Sequence, residues 1–155
     1  MPMIEHRQYI NAPIELCFDL ARDVDLHTQT TSKTKEKAVG GVTSGLLEEG
    51  DSVTWEAVHL GVRKKLTAKV ILMEKPYRFV DVMVKGAFQS FDHTRLFIEE
   101  ADGTIMIDQF NYKSPFGPIG VLVDKLFLEK YMKCFIVSRA EKLKEIAEKI
   151  NSESN

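Results

Sequence analysis

The sequence predicts an α+β fold: an antiparallel sheet of about seven strands, two short helices after the first strand, and one long C-terminal helix across the sheet. Three observations predict it. Residues 35–113 hold six runs rich in Val, Ile, Thr and aromatics, separated by turn signals. A strand-like opening at residues 3–10 precedes two helix starts. From Ile119 to about Ile150 there is no Pro and no Gly beyond Gly120, and Ala140, Leu143, Ile146, Ala147 and Ile150 recur at helical spacing.

Each element follows from local chemistry. After the strand at 3–10, Asn11 is a good helix cap, Pro13 suits a first turn, and Glu15 favours the positive end of the dipole. That helix should run to about Arg22, and Asp23 should cap a second one ending near Thr30. Strands are expected at 35–43, 51–60, 64–74, 78–85, 91–100 and 103–113, with turns at Gly40-Gly41, Gly50-Asp51, Gly61, Pro76, Gly86 and Asp102-Gly103. The last helix is apolar nearly all round between Val121 and Val137, which predicts a helix gripped on a wide face. At about 1.5 Å per residue, it would cross the whole width of the molecule. Residues 1–150 read as one domain and Asn151–Asn155 as a disordered polar tail.

Composition narrows the function classes. The chain has 155 residues, 21 Lys+Arg against 23 Asp+Glu, and a net charge of -2. That balance argues against a strongly basic nucleic-acid binder. With 28% charged and 44% hydrophobic residues it is globular in type, and at this size it can bury a core and a cavity. No signal peptide and no apolar run of membrane length are evident, so the expected location is the cytoplasm, without stable membrane insertion. Cys17 and Cys134 sit among apolar neighbours and read as buried thiols.

Hairpin phasing assigns the faces. A two-residue turn at Asp102-Gly103 pairs Phe97 with Asp108, Arg95 with Phe110 and His93 with Tyr112. Phe110 and Tyr112 alternate with Gln109 and Asn111, so their face is the inner one, and Met106, Asp108, Phe97, Arg95 and His93 share it. Around Gly61, Val53, Trp55, Ala57 and His59 face inward with Leu66, Ala68, Val70 and Leu72. A two-residue turn at Pro76-Tyr77 would set Asp81 and Met83 inward, at the awkward expense of Val80, Val82 and Val84 facing out. The inner face is therefore mixed. Its apolar members are Trp55, Leu66, Val70, Met83, Phe97, Phe110 and Tyr112, and its polar ones are His59, Asp81, His93, Arg95 and Asp108. Unpaired burial of so many polar groups costs several kcal/mol each, so they form paired networks or line a cavity.

The order of elements, with Tyr9-Ile10-Asn11-Ala12-Pro13-Ile14-Glu15-Leu16-Cys17-Phe18 at the start, resembles the START / polyketide cyclase–dehydrase / birch-pollen-allergen superfamily (SRPBCC), whose helix-grip fold wraps a curved sheet around the last helix. Trp55, His59-Leu60-Gly61, Pro76, Phe79, Asp81, Asp108, Tyr112, Pro115, Gly117 and Gly120 resemble a cyclase/dehydrase-like or cell-division-like bacterial branch. The resemblance spans essentially the whole chain and implies a deep cavity between sheet and long helix. It supplies no superfamily-wide catalytic motif. Members bind lipids, sterols, quinones or polyketides, some cyclise polyketides, and others act through protein contacts.

Three functions are expected in that order. The first is a binding protein for a small hydrophobic or amphipathic molecule, lined by Trp55, His59, Asp81, Met83, His93, Arg95, Phe97, Asp108, Phe110, Tyr112, Phe116 and Leu122. The second is a cyclase or dehydratase using His93 with Asp108 or Asp81, with Arg95 steadying an enolate. The third is a module that contacts a protein partner. Arg95 reads either as a structural ion pair with Asp108, diagonally across the hairpin, or as a clamp for a ligand anion. Ser114–Gly120 reads as a turn or as a gate plugged by Phe116, with Gly86–Ser90 as the opposite lip. Neither a phosphate loop nor a Gly-x-Ser-x-Gly elbow is present, so no cofactor is expected; His59, His93, Asp81 and Asp108 show no metal-ligand spacing, so no metal is expected.

Overall fold

A computed structural model describes residues 3–30, 35–59, 61–114 and 127–154. The elements are β1 (Met3–Ile10), α1 (Ile14–Ala21), α2 (Val24–Thr30), β2 (Lys37–Gly41), β3 (Ser52–His59), β4 (Val62–Glu74), β5 (Arg78–Lys85), β6 (Ser90–Glu100), β7 (Gly103–Lys113) and α3 (Glu129–Glu153). They form one seven-stranded sheet in the order β1-β7-β6-β5-β4-β3-β2, with every neighbouring pair antiparallel. The α1–α2 segment carries the chain from one sheet edge to the other, and α3 packs against β1, α1 and α2. This is the helix-grip arrangement.

The helix starts differ in how they are capped. Asp23 caps α2: its Oδ1 accepts from the amides of Asp25 at 2.9 Å and Leu26 at 3.3 Å. Replacing Asp23 with Ala is expected to lower stability by about 1 kcal/mol, read from a urea melt. At α1 the expectation needs correction. Pro13, with extended backbone at φ -62° and ψ 150°, occupies the cap position, and no side chain bonds there. Asn11 instead joins α3: its amide donates to Glu148 Oε2 and its carbonyl accepts from Asn151 Nδ2. That contact belongs to the last turns of α3, which runs through Glu153, three residues into the stretch expected as a tail.

The strand faces follow the expected alternation, with corrected registers. Gly103 pairs with Glu100, so Ala101 and Asp102 form the turn, and Ala101 takes φ 54°. Phe97 therefore opposes Met106, Arg95 opposes Asp108 and His93 opposes Phe110. The slip is two residues, and because strand periodicity is two, every residue keeps its face. The Pro76 loop is three residues long, Lys75 to Tyr77, between paired Glu74 and Arg78. Asp81 opposes Val70 and Met83 opposes Ala68, so both face inward. A bulge between Val70 and Leu72 then reverses the phase, and Met73 rather than Leu72 packs on the core, opposite Phe79.

The core has two apolar ends. One gathers Ile10, Phe18, Phe79, Phe97 and Met106 under Leu143 and Ala147 of α3. The other gathers Ile4, Phe91, Phe110 and Tyr112 under Met132 and Ile136. The stripe Met132, Ile136, Ala140, Leu143, Ala147 is the buried face of α3. Cys134 lies off that stripe and is exposed, contrary to expectation, whereas Cys17 is buried. Phe116, Leu122, the Ser114–Gly120 gate beyond Ser114, and the expected helix start lie outside the described residues.

Candidate functional site

Between the inner face of the sheet and α3 lies a cavity of about 550 Å³. Alternating inward residues build its wall: Val53, Trp55, Ala57 and His59 from β3, Leu66, Ala68 and Val70 from β4, Phe79 and Asp81 from β5, Phe91, His93 and Arg95 from β6, and Phe110 from β7. Met132, Phe135, Ile136 and Arg139 close it from α3. Exposed Val62, Lys64, Lys65 and Ala87 reach it from the β3–β4 and β5–β6 hairpin ends and mark its mouth. Ala87 and Phe88 belong to the segment expected as a lip.

Six of the ten described candidates thus meet at the cavity: Trp55, His59, Asp81, His93, Arg95 and Phe110. The other four share the inner face without lining it. Phe97 is 2% exposed, wedged against Phe18 and Phe79 where α1 covers the sheet. Tyr112 is fully buried among Phe88 and Phe110. Met83 packs beside that cluster, and Asp108, 2% exposed, sits behind His93.

His93 is the centre of a polar network. Its Nε2 lies 2.8 Å from Asp108 Oδ1, and its Nδ1 lies 3.2 Å from Arg95 Nη2 and 3.5 Å from Arg139 Nη2. Burial, helped by the Arg95 charge, pushes the His93 pKa down from 6.5 to about 4. The ring is therefore neutral. It donates from Nε2 to the carboxylate and accepts at Nδ1 from the guanidinia. Burial opposes ionisation of Asp108, but the His93 hydrogen bond and the two arginines hold its carboxyl below the usual range. Arg95 also donates to the Ala21 carbonyl at 2.9 Å and lies 4.9 Å over the Phe79 ring. It faces Asp108 directly at 3.6 Å, not diagonally.

A second chain of contacts was not evident from sequence. His27 Nε2 meets Glu36 Oε1 at 2.6 Å, and its Nδ1 lies 3.4 Å from Arg139 Nη1. Its ring lies 4.1 Å from that of Trp55. Burial, with Arg139 nearby, lowers the His27 pKa; burial also works against the Glu36 carboxylate, but His27, Arg139 and His59 together offset it and keep Glu36 below its ordinary value. Arg139 links both chains, meeting two neutral imidazoles and no carboxylate within 4 Å among the described residues. Burial and Arg95 lower its pKa to about 10, so it stays charged at neutral pH. Its signal was legible: position 139 stands three residues from Ile136 and four from Leu143, inside the buried stripe. Glu36 precedes a strand and carries no pattern that would single it out.

The chemistry this allows is limited. Both nitrogens of His93 are engaged, so proton transfer through it would first require displacing a guanidinium or Asp108. His59 Nδ1 is held by the Tyr131 hydroxyl at 2.6 Å. Among the described residues no group of three or more His, Cys, Asp or Glu is placed to hold a metal ion. No helix among them is long and apolar enough to cross a membrane.

A helix-grip protein enclosing a ligand-sized cavity is the class these features define, and solved structures of that architecture agree. A Thermus thermophilus protein, TTHA0849, superposes with a TM-score of 0.77 at 23% identity, covering 93% of this chain and 95% of its own. The Panax ginseng major latex-like protein 151 gives 0.66 at 11% identity, over 94% and 97% of the two chains. A Thalictrum norcoclaurine synthase point mutant, in complex with a transition state analogue, gives 0.69 at 13% identity, over 94% and 93%. No family model matches the chain, and no curated protein is similar to it in sequence.

Proposed function

We propose that residues 1–150 form one ligand-binding unit that holds a small hydrophobic or amphipathic molecule, of the lipid, quinone or polyketide class, in the cytoplasm. The observation that carries this reading is the cavity of about 550 Å³, walled by Trp55, Phe79, Phe91 and Phe110 with a polar network on one side. Its size and mixed lining suit a ligand that gains affinity from apolar burial and orientation from a few polar groups. Trp55, His59, Asp81, His93, Arg95 and Phe110 are the proposed contacts. Phe97, Tyr112, Met83 and Asp108 support them from behind. The cyclase or dehydratase reading is weaker, because its proposed base, His93, has no free ring nitrogen.

Native mass spectrometry of protein purified without detergent, followed by solvent extraction, tests the proposal. A discrete adduct that extracts into organic solvent is expected. Titration of emptied protein with a lipid, quinone and polyketide panel should quench Trp55, which lines the cavity. Ala57 also lines it, and Ala57→Phe should weaken uptake by about tenfold or more by filling space. No adduct and no quenching across the panel, or equal uptake by Ala57→Phe, would overturn the reading.

A further inference from the structure

Among the described carboxylates of the cavity wall Asp81 stands apart, while the cations Lys64 and Lys65 are exposed at the mouth. Arg22 is ion-paired with Asp19 and Glu48. Asp23 and Asp51 accept backbone amides, and Glu36 accepts from His27. Asp81 accepts no hydrogen bond and pairs with no cation among the described residues, although it faces inward between Val70 and His93 and lines the cavity. The nearest cavity lysine along the neighbouring strand, Lys65, is five residues from Val70, about 17 Å away at strand spacing.

The charges around Asp81 point the same way. Arg95 is matched by Asp108 behind His93, and Arg139 is shared at longer range among Asp108, Glu36 and Asp81. With both imidazoles neutral, the set of Arg95, Arg139, Asp108, Glu36 and Asp81 carries two positive and three negative charges, a net of -1 at neutral pH. A ligand carboxylate would make that balance worse in a poorly solvated site, and an ammonium would neutralise it.

We infer that Asp81 is the anchor for the ligand's polar end, and that the cavity selects an apolar body carrying a protonated amine over one carrying a carboxylate. The inference rests on the cavity-binding reading above and names the head group that it leaves open. The aromatic wall of Phe79, Phe91 and Phe110 beside Asp81 suits a flat apolar body attached to that cation.

Isothermal titration calorimetry at neutral pH with naphthylethylamine, naphthylethanol and naphthylacetate tests it, since the three share one apolar body. The amine should bind about tenfold or more tightly than the acid, with the alcohol between them. In Asp81→Asn the amine should lose about tenfold while alcohol affinity changes less than about threefold, which also shows that the variant keeps its cavity. Amine binding no tighter than acid binding, or an amine preference that survives Asp81→Asn, would overturn the inference and leave cavity binding standing. Failure of all three probes to bind the native protein would also sink the inference, while the lipid, quinone and polyketide panel decides the cavity reading separately.

Discussion

Replacing Asp108 with alanine is expected to destabilise the protein by about 4 kcal/mol, the range found when one partner of a buried ion pair is removed. Asp108 is 2% exposed and does not line the cavity, so its carboxylate has no water to fall back on; Arg95 is 8% exposed and meets only the cavity. The substitution would strip the acceptor from His93 Nε2 and leave the Arg95 and Arg139 guanidinia converging on Nδ1 of the same neutral ring without that carboxylate. Asp108→Asn keeps an accepting oxygen and should cost less, about 2 kcal/mol. Urea denaturation reads both values, with the slope held unchanged as the sign that the same two states are compared. A loss under about 1 kcal/mol for the alanine variant would mean that the Ala21 carbonyl, the Phe79 ring and cavity solvent already satisfy Arg95.

That network also shows what sequence reasoning can reach. The fold was legible because each level agreed. Strand alternation put Val53, Trp55 and Ala57 on one face, turn residues separated the strands, and α3 carried its stripe at helical spacing. Register was less legible, since a turn of Ala101 and Asp102 looks like one of Asp102 and Gly103. The error did little harm, because a slip of two residues preserves every face. The bulge after Val70 had no such protection. It reversed the phase, and so Leu72 was assigned to the wrong side.

The site was half legible for a different reason. Facing inward is a local property of a strand, but lining a cavity depends on what stands above each residue. Phe97 and His93 share a face of β6, yet α1 covers Phe97 while His93 opens onto the cavity. Arg139 and His27 come from helices and join the strand residues only through tertiary packing, so no hairpin phasing could place them there. Between the apolar ends of the core, two arginines and two imidazoles replace what would otherwise be further apolar packing. Such a network is usually a net expense to stability, which makes its position beside a cavity more informative than its energy.

The same network fixes how the protein should respond to acid. His93 has a folded-state pKa of about 4 against an ordinary 6.5, so below 6.5 the unfolded chain takes up a proton that the folded protein refuses. Stability should then fall as pH drops through that window and level off for this group below about 4. The gap corresponds to about 3 to 4 kcal/mol at about 1.4 kcal/mol per pH unit. His27 and His59 are lowered by burial and act with the same sign. Asp108 and Glu36, both held below their ordinary values, extend the loss into stronger acid. Burial sets most of the His93 value, and the charged groups that face the ring come from four elements: Arg95 on its own strand, Asp108 on β7, Asp81 on β5 and Arg139 on α3. His93→Gln keeps an amide that can donate to Asp108 and accept from Arg95 but cannot titrate. Urea melts across the window should show that this variant loses less than about half of what the native protein loses, with His27 and His59 supplying the remainder. An unchanged pH slope in His93→Gln would mean that the ring is not held neutral between carboxylate and guanidinia, and would reopen His93 as a proton carrier.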